Sequence, residues 1–125
     1  MKKGSVSDGV VYHAGFPNAG EDRQALPVGL ESLIVKHRTS TYLWRLDDEG
    51  VAELGWGPGS IVVVDRAIEP RHGDKVVAVV EGDFVVRIYQ KTESAALFTP
   101  GGNREESDNV ALWGVVTYVI QAMRS

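Results

Sequence analysis

From Thr41 onward the chain alternates short apolar runs with clusters of Gly, Pro, Asp and Ser. That rhythm predicts many short strands and little helix. Thr41–Leu46 interleaves β-branched, aromatic and aliphatic residues and reads as a strand. Ser60–Val64 is an almost unbroken apolar run, the pattern of a strand buried on both faces. Lys75–Val80 and Phe84–Gln90 flank the short acidic turn Glu81-Gly82-Asp83, so Val76–Tyr89 reads as a hairpin. Ala95–Thr99 is a further strand before the turn Pro100-Gly101-Gly102-Asn103. Ala111–Met123 closes the chain with Val115, Val116, Val119 and Ile120. Between these lie a polar, glycine-rich connection over Asp47–Gly59 and a turn over Glu69–Asp74 punctuated by Pro70 and Gly73.

Residues 1–30 differ in composition. They are rich in Gly, Ser, Asp and Pro and read as a flexible, extended arm, with one short strand at Val10–His13. Phe16 precedes Pro17 and is held extended. Leu30–Lys36, after Pro27 and Gly29, has the spacing of one or two helical turns. Residues 31–125 are then expected to form one mostly-β domain, barrel-like or sandwich-like.

Bulk properties narrow the chemistry. A length of 125 residues fits one domain, and 43% hydrophobic residues suffice for a core. The net charge of -4 argues against direct nucleic-acid binding by the whole surface. There is no cysteine, hence no disulfide, no thiol nucleophile and no Cys-based metal site. No apolar stretch approaches the roughly 18 residues that span a bilayer. A cytoplasmic location without membrane contact is the expectation.

Individual residues add little conventional chemistry. Asp47-Asp48-Glu49 lacks the further oxygen ligands that a divalent cation needs and reads as a solvated loop. His13, His37 and His72 are scattered, without the spacing of a zinc site; His72, before Gly73-Asp74, reads as structural. Gly55–Gly59 lacks the Lys-Ser/Thr of a phosphate-binding loop. Trp44 and Trp113 lie in strand-like segments and are assigned to the core. Trp56, among glycines, is the expected exposed contact. No metal and no cofactor is predicted.

Three segments and the chain end carry a more specific signal by their order and spacing. They are Gly59-Ser60-Ile61-Val62-Val63-Val64-Asp65, His72-Gly73-Asp74-Lys75-Val76-Val77-Ala78 and Gly82-Asp83-Phe84-Val85-Val86-Arg87, followed by Trp113-Gly114-Val115-Val116 through Ala122-Met123-Arg124. Together they resemble the S24 peptidase domain of the LexA/UmuD family. The UmuD branch is the nearer one, because Ala14-Gly15-Phe16-Pro17 stands where those proteins carry their cleavage site. The resemblance implies a LexA/UmuD C-terminal-like β domain. In that family a Ser, activated by a neutral Lys, cuts the chain's own arm, here between Ala14 and Gly15. The resemblance also implies a homodimer, or a heterodimer with an active UmuD relative. Its implied partners are a Y-family translesion polymerase and the RecA filament, in an SOS-response role.

The departures carry as much meaning as the matches. The stretch expected to hold the nucleophile reads Asp48-Glu49-Gly50-Val51, which puts Gly50 at the Ser position. The strand end expected to hold the base puts Arg87 at the Lys position. A glycine has no oxygen with which to attack, and a guanidinium does not accept a proton at neutral pH. Ser60 and Lys75 belong to separate stretches and are not expected to rebuild the dyad. Arg87 is expected either to snorkel out of the cleft or to pair with an acidic residue of the 47–49 loop. The resulting expectation is an UmuD-like pseudo-peptidase acting through protein contacts in translesion DNA synthesis. Two alternatives stay open: a decoy that forms mixed complexes with LexA, UmuD or RecA partners, and an active S24 autopeptidase in a different register.

Overall fold

The computed structural model describes residues 6–13, 37 and 39–124, the first of these ranges as backbone. Seven strands follow one another: β1 (Val6–His13), β2 (Thr41–Leu46), β3 (Ile61–Asp65), β4 (Lys75–Val80), β5 (Asp83–Lys91), β6 (Ala95–Phe98) and β7 (Val110–Ile120). One 3-10 turn covers Ala52–Leu54. The sheet order is β1-β2-β3-β7-β4-β5-β6, and every neighbouring pair is antiparallel. The last strand thus sits in the middle and joins two meanders, β1-β2-β3 and β4-β5-β6. β1 also approaches β5, so the sheet curls.

This is the mostly-β fold that the apolar pattern predicts. β2 and β4 occupy the spans read from the sequence. Val62, Val63 and Val64 are fully buried, as an uninterrupted apolar run requires when both faces are covered. Val76, Val77 and Ala78 of β4 are equally buried. Each such valine contributes on the order of 2 kcal/mol by leaving water. β1 is longer than the Val10–His13 strand expected within the arm. The proposed cleavage dipeptide Ala14-Gly15 and the Leu30–Lys36 stretch lie outside the described residues.

The β4–β5 connection is shorter than the sequence suggests. Val80 pairs directly with Asp83, leaving Glu81 and Gly82 as a two-residue turn. Both have positive φ, 51° and 84°. That is the geometry whose twist matches a hairpin, so β5 begins at Asp83.

β7 carries two irregularities. Pairing passes from Val63↔Tyr118 to Val64↔Val116, and from Val77↔Gly114 to Ala78↔Leu112, which leaves Thr117 and Trp113 as extra residues. Such bulges redirect side chains. Trp113 joins Trp44, Phe84 and Tyr42 in an aromatic cluster, with ring centroids 5.3, 5.6 and 5.1 Å from its own. The Arg66 guanidinium lies 4.4 Å above the same ring, a cation–π contact, and its Nε donates to the Trp113 carbonyl at 2.8 Å.

Trp56 departs from its expected exposure. It is half-buried and packs against the cluster that contains Trp44, Leu46, Val51 and Val62. The cause is a backbone pairing of Val51 with Trp56, which folds the glycine-rich loop back onto the core.

Candidate functional site

Gly50 lies in the loop between β2 and β3. The Asp47 carboxylate accepts the Glu49 N–H at 3.0 Å, and the Asp47 carbonyl accepts the Gly50 N–H at 3.1 Å. This tight turn brings Gly50 to a φ of 61°, in the left-handed region that favours glycine. Beyond it, the Val51 N–H donates to the Trp56 carbonyl at 2.7 Å and the Trp56 N–H to the Val51 carbonyl at 3.0 Å. The loop therefore closes on itself and buries Gly50. A Cβ placed on Gly50 would lie 2.7 Å from the Gly57 carbonyl carbon and 2.8 Å from the Pro58 nitrogen, and closer still to the Trp56 carbonyl oxygen. All three obstacles are backbone atoms, so no side-chain rotation relieves them.

Arg87 lies on β5 opposite Val76. Its Nε donates to Glu105 Oε1 at 2.6 Å, and a terminal nitrogen donates to the Val86 carbonyl at 2.8 Å. The expected partner among Asp47, Asp48 and Glu49 is thus incorrect. Asp47 is engaged in its own turn, and Asp48 and Glu49 are exposed. Glu105 is placed by the chain that follows β6: its N–H donates to the Leu97 carbonyl at 2.8 Å, which lays it alongside the sheet edge. The run Arg104-Glu105-Glu106-Ser107-Asp108 offers no periodicity that would have singled it out.

Burial raises the pKa of the Glu105 carboxyl, but the Arg87 hydrogen bond, the Ser107 and Glu106 N–H groups and the Arg87 charge outweigh it. The carboxyl is held below its ordinary value. The Ser107 N–H reaches Oε2 at 3.1 Å, and the Ser107 hydroxyl is bonded to the Glu81 carboxylate in the β4–β5 turn. Arg87, Glu105, Ser107 and Glu81 thus tie the β6–β7 connection to the hairpin.

The two singled-out positions are flanked by residues of one core cluster. Val51, next to Gly50, shares a core cluster with Val86, next to Arg87. A groove of about 470 Å³ is lined by Glu53 of the 3-10 turn, by Arg87, and by Val80, Val85 and the turn residues around Pro100. Ser60 and Lys75 are not brought together. Ile61 pairs with Ile120 and Val76 with Val115 on opposite sides of β7. Ser60 and Lys75 therefore stand about five residues apart along that strand, on the order of 15 Å, with β7 between them.

The remaining site residues read as structural. His72 Nδ1 accepts the Lys91 N–H at 3.0 Å. His37, which carried no signal in the sequence, places Nδ1 2.6 Å from Asp65 Oδ2. The buried Asp65 also accepts the Ser40 hydroxyl at 3.3 Å and the Ala67 N–H at 2.8 Å. Among the described residues, no three His, Asp or Glu side chains gather to hold a metal ion.

Comparison with known proteins sets this geometry in context. A sequence model of the family described as "Peptidase S24-like" matches residues 9–112. The chain is similar to Protein ImpA of Escherichia coli, at 32% identity over 115 residues, covering 89% of this chain and 79% of that protein. It is similar to Protein SamA of Salmonella typhimurium, at 30% over 114 residues, covering 90% and 81%. Protein MucA of Escherichia coli is 26% identical over 111 residues, covering 84% and 76%.

Proposed function

The chain belongs to the Peptidase S24-like family, and we propose that it lacks that family's self-cleavage and acts as an UmuD-like dimer, through protein contacts, in SOS-response translesion DNA synthesis. The observation that carries this reading is the backbone of Trp56, Gly57 and Pro58 standing where a side chain on residue 50 would begin. Hydrolysis by a Ser-Lys pair needs a hydroxyl oxygen at one position and a neutral amine at the other. Gly50 has no side-chain atom. Arg87 presents only N–H donors, with no acceptor atom, and is held in an ion pair with Glu105. Both departures work against the same step, the transfer of a proton from nucleophile to base.

What remains is a β scaffold with protein-binding potential. By resemblance its partners are a second copy or an active UmuD relative, a Y-family polymerase and the RecA filament. Ala14-Gly15 is then a bond that an active relative cuts in trans. Light scattering on the purified protein, followed by co-purification with a Y-family polymerase, tests the role. A dimer that retains the polymerase supports it. Retention only by LexA-type repressor or RecA filament replaces it with the decoy role.

A further inference from the structure

We infer that Gln121 is a latch that holds the glycine-rich loop closed over residue 50, so that position 50 is blocked by the fold as well as by its residue type. Gln121 directly follows β7. The pairing of Ile61 with Ile120 sets it level with Ser60, beside the returning end of the loop. Its Oε1 accepts the Gly57 N–H at 2.7 Å and the Ser60 hydroxyl at 3.2 Å. Its Nε2 donates to the Gly55 carbonyl at 3.2 Å. One carboxamide thereby ties three points within Gly55–Ser60. Its amide chemistry suits the task, because it offers an acceptor and a donor at one tip.

These ties enclose Trp56-Gly57-Pro58, the same backbone that a Cβ on Gly50 would strike. Gly57 is part of the fit: a Cβ there would lie 3.1 Å from Gln121 Oε1. A second tie is the backbone pair between Val51 and Trp56. With the loop held at both places, the Trp56 carbonyl cannot retreat from Gly50 without breaking hydrogen bonds. Residue 121, far along the chain, therefore governs whether residue 50 can carry a side chain. The proposal rests on reading residue 50 as the vacated nucleophile position; the latch itself makes a statement about loop opening that does not involve cleavage.

Native-state hydrogen exchange on the full chain tests it. Gln121→Met keeps the length of the side chain and removes all three hydrogen bonds; Gln121→Glu keeps the acceptor and loses the donor. The amides to read are Val51 and Trp56, which bond each other and not Gln121. In Gln121→Met they exchange at least about fivefold faster, the equivalent of about one lost hydrogen bond, while the buried Val77 amide of β4 quickens by no more than the loss of overall stability that urea unfolding of the same variant shows. Gln121→Glu falls between Gln121→Met and the unmodified chain. The penalty of Gly50→Ala, read as a drop in unfolding midpoint, is smaller in the Gln121→Met background. Unchanged Val51 and Trp56 exchange, or an additive Gly50→Ala penalty, overturns the latch. Self-cleavage of the unmodified protein would instead overturn the reading of residue 50 and leave the exchange result intact.

Discussion

Arg87 and Glu105 form an ion pair of 2.6 Å with both side chains largely withdrawn from water, at 11% and 13% exposure. The pair crosses from β5 to the β6–β7 connection, and the carboxylate is satisfied on its far side by the Ser107 N–H. A permanent positive charge is tolerated inside the groove because it is paired and hydrogen-bonded.

Removing one partner leaves the other charged and poorly hydrated. Glu105→Gln is expected to cost about 2–4 kcal/mol in urea unfolding. Replacing both residues together, as Arg87→Met with Glu105→Leu, costs less than the sum of the single changes. Additive losses would mean that the two side chains do not interact.

The same pair predicts a pH dependence with a definite sign. The folded carboxyl sits below its ordinary value of 4.5. Its contribution is therefore complete above that value and is lost as pH falls through the lower, folded pKa. The stability gap between the unmodified protein and Glu105→Gln stays constant from about pH 7 to about pH 5 and narrows below about pH 4. Urea midpoints measured across that range check it. A gap that widens on acidification would contradict the assignment.

Gly50 and Gly59 separate backbone strain from collision. Both have positive φ, 61° and 78°, but a Cβ on Gly59 meets nothing within 4 Å. Gly59→Ala should cost about 1 kcal/mol for the left-handed conformation alone. Gly50→Ala carries that cost and the displacement of the Trp56–Pro58 backbone, for a total of about 3 kcal/mol or more. Thermal unfolding of the two variants gives the comparison. Equal losses would show that the loop yields freely.

Where local pattern dictates structure, the sequence was legible. The unbroken apolar runs of β3 and β4 and the β-branched and aromatic residues of β2 mark strands because burial decides them. The β4–β5 hairpin was legible from the acidic turn around Gly82 between two apolar runs, but its length was not, since Asp83 pairs with Val80 and leaves only Glu81-Gly82 in the turn. The central place of β7 was not legible, since strand order depends on pairing between segments distant in the chain. The bulges that aim Trp113 into the aromatic cluster were hidden for the same reason. Trp56 looked exposed because its neighbours are glycines, yet those glycines let the loop fold back on the core. At the site, the residue types at positions 50 and 87 were readable from the resemblance. Glu105 was not, since its approach to Arg87 depends on how the β6–β7 connection lies along β6. Gln121 was equally hidden, lying 61 positions from Ser60, which it binds.

The central claim is that this S24 domain does not cut itself. It is tested most directly by the intact mass of the purified protein after incubation at alkaline pH, alone and mixed with an active UmuD-type relative. High pH favours a Lys-dependent nucleophile by deprotonating the amine, so the condition is the most permissive one for hidden activity. The account predicts an unchanged mass for the protein alone, with loss of residues 1–14 only in the mixture. Loss of residues 1–14 from the protein alone would contradict it and require a nucleophile other than residue 50.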